Sequence, residues 1–480
     1  MSLILIVLLL LGLAVPTFAQ DSEAMVNCNG LSEADCQILI DSAAATSTIS
    51  SFTIPTMQGE LSLTIGDETM DGKISGSAAM ILPGSLIAMM SDMQGMTSMT
   101  DMQPIIDLYS KFNSELLMQM LGEMGLHVTV DELVLSVPGE TPVDMSLEAI
   151  FKDMGLYVRV PSPTANVQWF GETLEVDEED LAEIDEMFAE LITTFEDPEM
   201  QEMMAQMSEF EGFAAEFTEF VNSYVITTRG EDVDMMGQTM AVFTTTFDLK
   251  ALLADPALPA MIMGLLENPA LAAMDIDPEE LEVNETQIQF VLMTAGMMLQ
   301  EVTLSSTQMI GLDDKFVHHM ALDMALDVDL SLMGGSEMNT LVGSAHFEAD
   351  MTDINSTTMD AVEVPTEFRD LDDMENFLVG SPAMIEGNLA LGETFSGLFE
   401  DDDTEDVFAL ALDAGQTVQI EIKSDDYPYV NIYGPDGFLV EELDTYYGDS
   451  VELTADAAGT YLIVVEAYWN LDYDLTVRVP

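Results

Sequence analysis

Few side chains in this 480-residue chain are equipped for any chemistry beyond that of carboxylates. Four histidines (His127, His318, His319 and His346) and two cysteines (Cys28 and Cys36) stand against 89 Asp and Glu. No HExxH occurs, and no histidine pair has helical ligand spacing with an acid. His318 and His319 are neighbours on a strand-like run, so their rings point to opposite faces; a structural role suits them better than metal binding. A G-x-S-x-G elbow, a P-loop and a dinucleotide fingerprint are all missing. With so many acids, chance carboxylate pairs are inevitable, and no single pair identifies a hydrolase. The chain reads as a non-enzyme that needs no cofactor. Asp401, Asp402, Asp403 and Asp406 do offer calcium the oxygen ligands it takes. The bland reading of that run is a solvated acidic loop, because it lacks the Gly-spaced EF-hand pattern.

Ten Lys and Arg leave a formal charge of −79. Such a chain does not bind nucleic acid through phosphates or anionic lipid surfaces through electrostatics. Residues 1–20 hold an apolar run from Leu3 to Val15 followed by small residues, Thr17 and Ala19. This reads as a secretory signal, although the lack of a basic n-region leaves an uncleaved anchor as the alternative. No later stretch looks membrane-spanning, so no stable membrane insertion is expected. In an exported chain Cys28 and Cys36 read as a local disulfide that staples the lead-in loop to a helix opened by Ser32 and Asp35.

A second kind of site is built from soft apolar side chains. Met200, Met203, Met204, Met207, Phe210, Phe213, Phe217 and Phe220 recur at three- and four-residue spacing, the period of one helix face. Leu181, Ile184 and Phe188 do the same on the preceding helix, 178–193. Met is flexible and polarizable, so a Met-rich face adapts to varied apolar partners. The same pattern also describes ordinary core packing.

The elements around these helices give the architecture. Strand-like runs begin at Phe52 and recur through residue 352, with helices expected at 104–121, at 178–193, from Asp248 and at 287–300. Trp169 and Phe170 fall in a Pro-rich loop, and 85–100 reads as a loop or a short helix. Residues 360–384 are polar, acidic and Pro-containing. The expected organisation is a signal (1–20), a disulfide-stapled helix (21–50), an α+β domain (51–358), an acidic linker (359–386) and an all-β sandwich (387–480). All 39 Met lie at or before Met384, and the Tyr concentrate after it.

The last segment alternates apolar and polar residues between turns at Asp413-Ala414-Gly415, Pro435-Asp436-Gly437 and Ala457-Ala458-Gly459. With Asp406-Val407-Phe408, Val430–Tyr433, Ala458-Gly459-Thr460-Tyr461 and Tyr473-Asp474-Leu475, it resembles the bacterial pre-peptidase C-terminal domain. That resemblance implies a jelly-roll-like sandwich and export, without peptidase activity. Tyr427, Tyr429, Tyr446, Tyr447, Tyr468 and Trp469 sit at expected strand ends or loops, as an aromatic surface for glycan or protein or as half-buried sandwich aromatics.

In the large domain, the units 146–170 and 232–253, the run Thr307–Asp314 and the long final strands resemble the LppX/LprG-type exported lipid carriers. The resemblance implies a curved antiparallel sheet, a half-barrel, covered by helices with an apolar cavity between. The lipidated Cys of the lipoprotein members is missing here. The leading expectation is an exported binding protein that holds a hydrophobic small molecule or lipid. The alternatives are an extracellular interaction protein that binds glycan or protein through the sandwich, and a secreted carboxylate-dependent hydrolase.

Overall fold

The structure, a computed structural model, describes residues 26–480 except 67, 95–105, 107–109, 139–142, 165–167, 175, 198–214, 267–283, 334–339, 361, 400–404, 425–426, 445–448 and 468–470. The expected signal, 1–20, lies outside the described residues. The chain opens with α1 (Glu33–Thr46), β1 (Ser51–Ile65), β2 (Glu68–Ile81), α2 (Gly84–Gln94) and α3 (Ser114–Glu123). It continues through β3 (Gly125–Ser136), β4 (Val143–Lys152), β5 (Gly155–Val160), β6 (Gln168–Thr173), α4 (Glu178–Glu196) and helical residues 215–222. Then come β7 (Val225–Arg229), β8 (Val233–Met235), β9 (Gln238–Phe247), α5 (Leu249–Ala254), α6 (Leu258–Leu266) and α7 (Glu285–Met298). Three long strands follow: β10 (Leu299–Gly311), β11 (Val317–Asp329) and β12 (Thr340–Asp350). After β13 (Arg369–Asp370), the remaining strands are β14 (Ile385–Asn388), β15 (Thr394–Phe399), β16 (Glu405–Leu412), β17 (Thr417–Ser424) and β18 (Tyr429–Tyr433), then β19 (Leu439–Asp444), β20 (Asp449–Thr454), β21 (Gly459–Glu466) and β22 (Leu471–Arg478).

The protein is α+β with an all-β sandwich, and none of its sheets closes into a barrel. Chain contacts divide it into two units, the first made of 1–67, 78–126 and 175–359, the second of 68–77, 127–174 and 360–480. In the first unit the strands run β1-β12-β11-β10-β9-β7, with β8 on β9. In the second, β13-β6-β5-β4-β3 run side by side, and the sandwich adds a five-stranded sheet, β14-β16-β21-β18-β19, and a four-stranded one, β15-β22-β17-β20.

Helix starts are written in single polar residues. Ser32, Asn113, Asp177, Asp248 and Asn284 each accept a backbone N–H of the first turn, and Asp177 and Asn284 complete capping boxes with Asp180 and Gln287. The Asn113 carboxamide accepts Leu116 N–H at 2.8 Å and starts α3 at Ser114. In the helix expected from Pro104, Ile106 is helical, and Pro104 itself lies outside the described residues. Residues 84–94 form a helix, α2, and Trp169 and Phe170 lie in strand β6 rather than in a loop. Phe170 is fully buried there.

The sandwich core is one cluster fed by both sheets: Phe408, Leu410, Ile432 and Ile463 from one meet Val418, Ile420, Leu475 and Val477 from the other. The stretch 359–386, expected as a linker, is packed. Arg369 and Asp370 pair in parallel with Phe170 and Gly171. Phe377 is buried against Phe170 at 5.1 Å between ring centroids and Phe438 at 5.0 Å. Leu378 N–H donates to Gly437 O at 2.9 Å, and Gly380 N–H to Pro161 O at 3.2 Å. Acidic side chains recur along this segment, but its apolar ones decide its packing.

Candidate functional site, an apolar sheet face

Cross-strand register assembles the site. In an antiparallel ladder, directly opposed residues project on the same face, and so do their neighbours two residues away. Leu61 of β1 opposes Ala345 of β12, which opposes Met324 of β11, which opposes Leu304 of β10. On one side lie the rows Leu63–Gly343–Leu326–Val302 and Ile65–Leu341–Val328–Leu299. On the other lie Gly59–Phe347–Leu322–Ser306 and Met57–Ala349–Met320–Gln308. Five rows across four strands cover roughly 27 Å by 14 Å. None of these positions carries a charge.

The charges of the same strand segments project on the opposite face. Glu60, His346, Asp323 and Ser305 form one row there; Gln58, Glu348, Ala321 and Thr307 form the next. His346 Nδ1 lies 2.8 Å from Asp323 Oδ1 and its Nε2 lies 3.7 Å from Glu348. The hydrogen bond to Asp323 raises the His346 pKa from its ordinary imidazole value.

An apolar sheet face normally becomes core. Here Leu61 is 52% exposed, Met324 45%, Leu322 40% and Leu304 37%, and the other apolar side chains of the rows are half-buried. The contrast is with the sandwich, where Val418, Ile432, Ile463 and Leu475 are completely buried. Contiguous exposed apolar patches larger than a few hundred Å² mark interaction or ligand-binding surfaces.

Beyond Met320 the register of β10 and β11 shifts, and a polar cluster forms at that irregularity. His318 is buried, with Nδ1 3.2 Å from the Met351 carbonyl and Nε2 2.9 Å from Asp314 Oδ2 and 2.8 Å from Gln238 Nε2. Burial pushes the Asp314 carboxyl up, but hydrogen bonds from His318, Gln238 and the Phe316 amide outweigh it and leave the pKa lowered. His319 pairs with Asp350 at 2.8 Å and His127 with Glu148 at 2.9 Å. Each histidine is thus held by a carboxylate across a ladder or turn.

The helical residues named from sequence are only partly in view. Met200, Met203, Met204, Met207, Phe210 and Phe213 lie outside the described residues. Phe217 and Phe220 are half-buried in the helical residues 215–222, and the Phe220 ring meets Tyr224 edge-on at 5.5 Å. Leu181, Ile184 and Phe188 form the half-buried face of α4. That face meets α3: Phe188 lies 5.4 Å from Phe112, and Asp185 accepts Ser114 N–H at 2.7 Å. Met187, expected on the same face, is 57% exposed. Its place on the helix turns it outward from the Leu181–Ile184–Phe188 stripe.

Of the acids offered for calcium, Asp401, Asp402 and Asp403 lie outside the described residues. Asp406 points into the sandwich, where it is buried and accepts the Tyr473 hydroxyl. Among the described residues, no group of three His, Cys, Asp or Glu is placed to hold a metal. Glu405 projects to the other side of β16, directly opposite Glu466 of β21. Burial first, then Glu466 and Asp406, raise its pKa. Burial and the Glu466, Glu405 and Glu442 charges push the Tyr433 phenol up to about 12. Of the tyrosines named as a surface, Tyr427 and Tyr429 are half-buried; Tyr446, Tyr447, Tyr468 and Trp469 lie outside the described residues.

Cys28 and Cys36 form the expected disulfide. The loop it closes lies along β7, the last strand of its run. Thr227 N–H donates to Asn29 O at 3.0 Å, and the Asn27 and Asn29 carboxamides reach the Val225 carbonyl, each at 3.2 Å. Gly30 (φ 92°) passes so close that a Cβ there would meet Thr227 O at 2.9 Å. An open groove of about 360 Å³ beside this loop is lined by Val26–Asn29, Glu219, Asn222 and Ser223. Its polar lining makes it a poor receptor for a hydrocarbon.

The ligand lining expected from sequence lies on helices, and the sheet face is not among those expectations. The signal is present in alternation, in Leu61-Leu63-Ile65 and in Leu322-Met324-Leu326, interleaved with Asp323 and followed by Asp327. Only strand register shows that these runs align into one surface.

No protein-family profile matches the chain, and no curated protein matches its sequence. Among solved structures, the chain is similar to the pre-peptidase C-terminal domain of a collagenase from Bacillus anthracis: 16% identity over 20% of this chain and 96% of that one, TM-score 0.19. It is similar to PliG, a periplasmic inhibitor of g-type lysozyme from Aeromonas hydrophila, at 19% identity over 20% of this chain and 97% of that one, TM-score 0.18. A DUF1329 family protein from Desulfovibrio piger overlaps 68% of this chain and 92% of its own length at 7% identity, TM-score 0.15. These overlaps carry no statement of function.

Proposed function

We propose that this chain is an exported, non-enzymatic binding protein that holds a hydrophobic, lipid-like ligand against the apolar face of β1, β12, β11 and β10. The observation that carries the reading is the charge-free set of five rows, left half-exposed in a chain with 89 acids. Burial of a hydrocarbon on that face removes apolar surface from water on both partners, at about 0.8 kcal/mol per CH₂. The Met/Phe stretch and α4 are the segments proposed to cover the ligand, as the resemblance to LppX/LprG-type carriers implies. Export is supported by the Cys28–Cys36 disulfide, a bond that persists in oxidising compartments, and by the apolar leader.

Native mass spectrometry with organic extraction of the purified protein tests the reading. A co-purifying hydrophobic molecule, or stoichiometric uptake of the neutral fluorophore N-phenyl-1-naphthylamine by extracted protein, is the expected result. Extracted protein that takes up none of the fluorophore contradicts it.

A further inference from the structure

The apolar face carries information about the head of its ligand as well as the tail. This step rests on the ligand-binding reading above. The two polar side chains within the five rows, Ser306 and Gln308, are both uncharged, and both come from β10 at one end of the face. They are the groups that can hydrogen-bond a ligand head, and neither can neutralise one.

The cations of the first unit already have partners. Arg229 projects on this same face, beyond Phe243 in the row of Gln308 with its guanidinium over that ring, but it pairs with Asp232 and lies 3.5 Å from Asp35. Lys250 donates to the Gln300 carbonyl and Lys315 to the Leu312 carbonyl. Lys111, the fourth, is engaged as well. An anionic head would therefore leave water without a partner charge, in the field of a chain of net charge −79. An ion buried without its counter-charge is strongly disfavoured, and a like-signed field lowers its local concentration further.

We infer that the face selects amphiphiles with an uncharged polar head, of the long-chain alcohol or acylglycerol kind, and excludes fatty-acid and other anionic heads. Ser306 and Gln308 hydrogen-bond the head, and the alkyl tail runs along the rows toward Leu63 and Ile65.

Displacement of N-phenyl-1-naphthylamine by two ligands with the same twelve-carbon tail, 1-dodecanol and dodecanoate, tests this at pH 8 and below micellar concentration. Dodecanol is expected to displace the fluorophore at concentrations about tenfold lower or more. Gln308→Lys supplies a free cation and is expected to lower the concentration of dodecanoate needed, relative to that of dodecanol, by about tenfold or more, both being read against the fluorophore affinity measured for that variant. Dodecanoate that competes as well as dodecanol on the unaltered protein overturns the inference while leaving the ligand-binding reading intact. Dodecanoate that gains nothing from Gln308→Lys overturns the placement of the head. A fluorophore that never binds sinks the underlying reading instead.

Discussion

Met324 stands directly opposite Leu304 in the ladder of β10 and β11, and both side chains remain exposed on the apolar side of the sheet. A pair in this position on an ordinary sheet would be the middle of a core. Here the flanking strands extend the same surface through Ala345 and Leu61 without burying it. A surface of this kind contributes little to the stability of the free protein.

That distinction predicts unequal stability losses. Leu304→Ala is expected to cost about 1 kcal/mol, since more than a third of its surface stays in water in the folded chain. Ile420→Ala, at a position closed between the two sandwich sheets, is expected to cost roughly 2–5 kcal/mol. Denaturant unfolding of both variants, without ligand, checks the difference.

Inside the sandwich, the Tyr473 ring lies over Gly397, where a Cβ would come within 2.3 Å of it, and its hydroxyl donates to buried Asp406. Tyr473→Phe keeps the ring and removes the donor, leaving a buried carboxylate short of a partner. The expected loss is roughly 1–3 kcal/mol in chemical unfolding. Adding Asp406→Leu should recover much of that loss, because both polar partners are then gone.

The Glu405 carboxyl gives a pH dependence of known sign. Its pKa is raised in the fold by burial and by Glu466 across the ladder. The native state therefore binds this proton more tightly than the unfolded chain does. The destabilisation is present above the folded pKa and fades as pH falls toward the ordinary glutamate value of about 4.3. Glu405→Gln should accordingly raise Tm at pH 7, and its advantage over the unaltered protein should shrink as pH is lowered. An advantage that grows on acidification would contradict this account of the pair.

The disulfide loop protects a sheet edge. Asn29 accepts Thr227 N–H along β7, and unprotected edges template unwanted strand pairing. Cys28→Ser with Cys36→Ser is expected to lower stability by about 2–3 kcal/mol, the loop-closure value for so short a ring. Hydrogen exchange at Thr227 should accelerate in that variant. Unchanged protection there would show that the loop holds its place without the bond.

Local chemistry made much of the fold legible. Alternation and Gly turns gave the sandwich strands, and Ser32, with Asp35, gave the start of α1. The segment around Phe377 was misread because its composition is acidic while its packing depends on a few apolar residues. The site was harder still. A Met/Phe helix announces itself in one window of sequence, whereas the rows through Leu61, Ala345, Met324 and Leu304 are separated by up to hundreds of residues and meet only once register is known.

The most direct test compares two single charges placed on opposite faces of the same ladder. Met324→Glu enters the centre of the apolar face, and Thr303→Glu, opposite Ala325, projects from the other side. Both variants should keep a folded circular-dichroism spectrum. The account predicts that Met324→Glu weakens N-phenyl-1-naphthylamine binding about tenfold or more, the scale of placing an unpaired charge against hydrocarbon, while Thr303→Glu leaves it within about twofold. Equal affinities in the two variants would contradict the assignment of the ligand to this face.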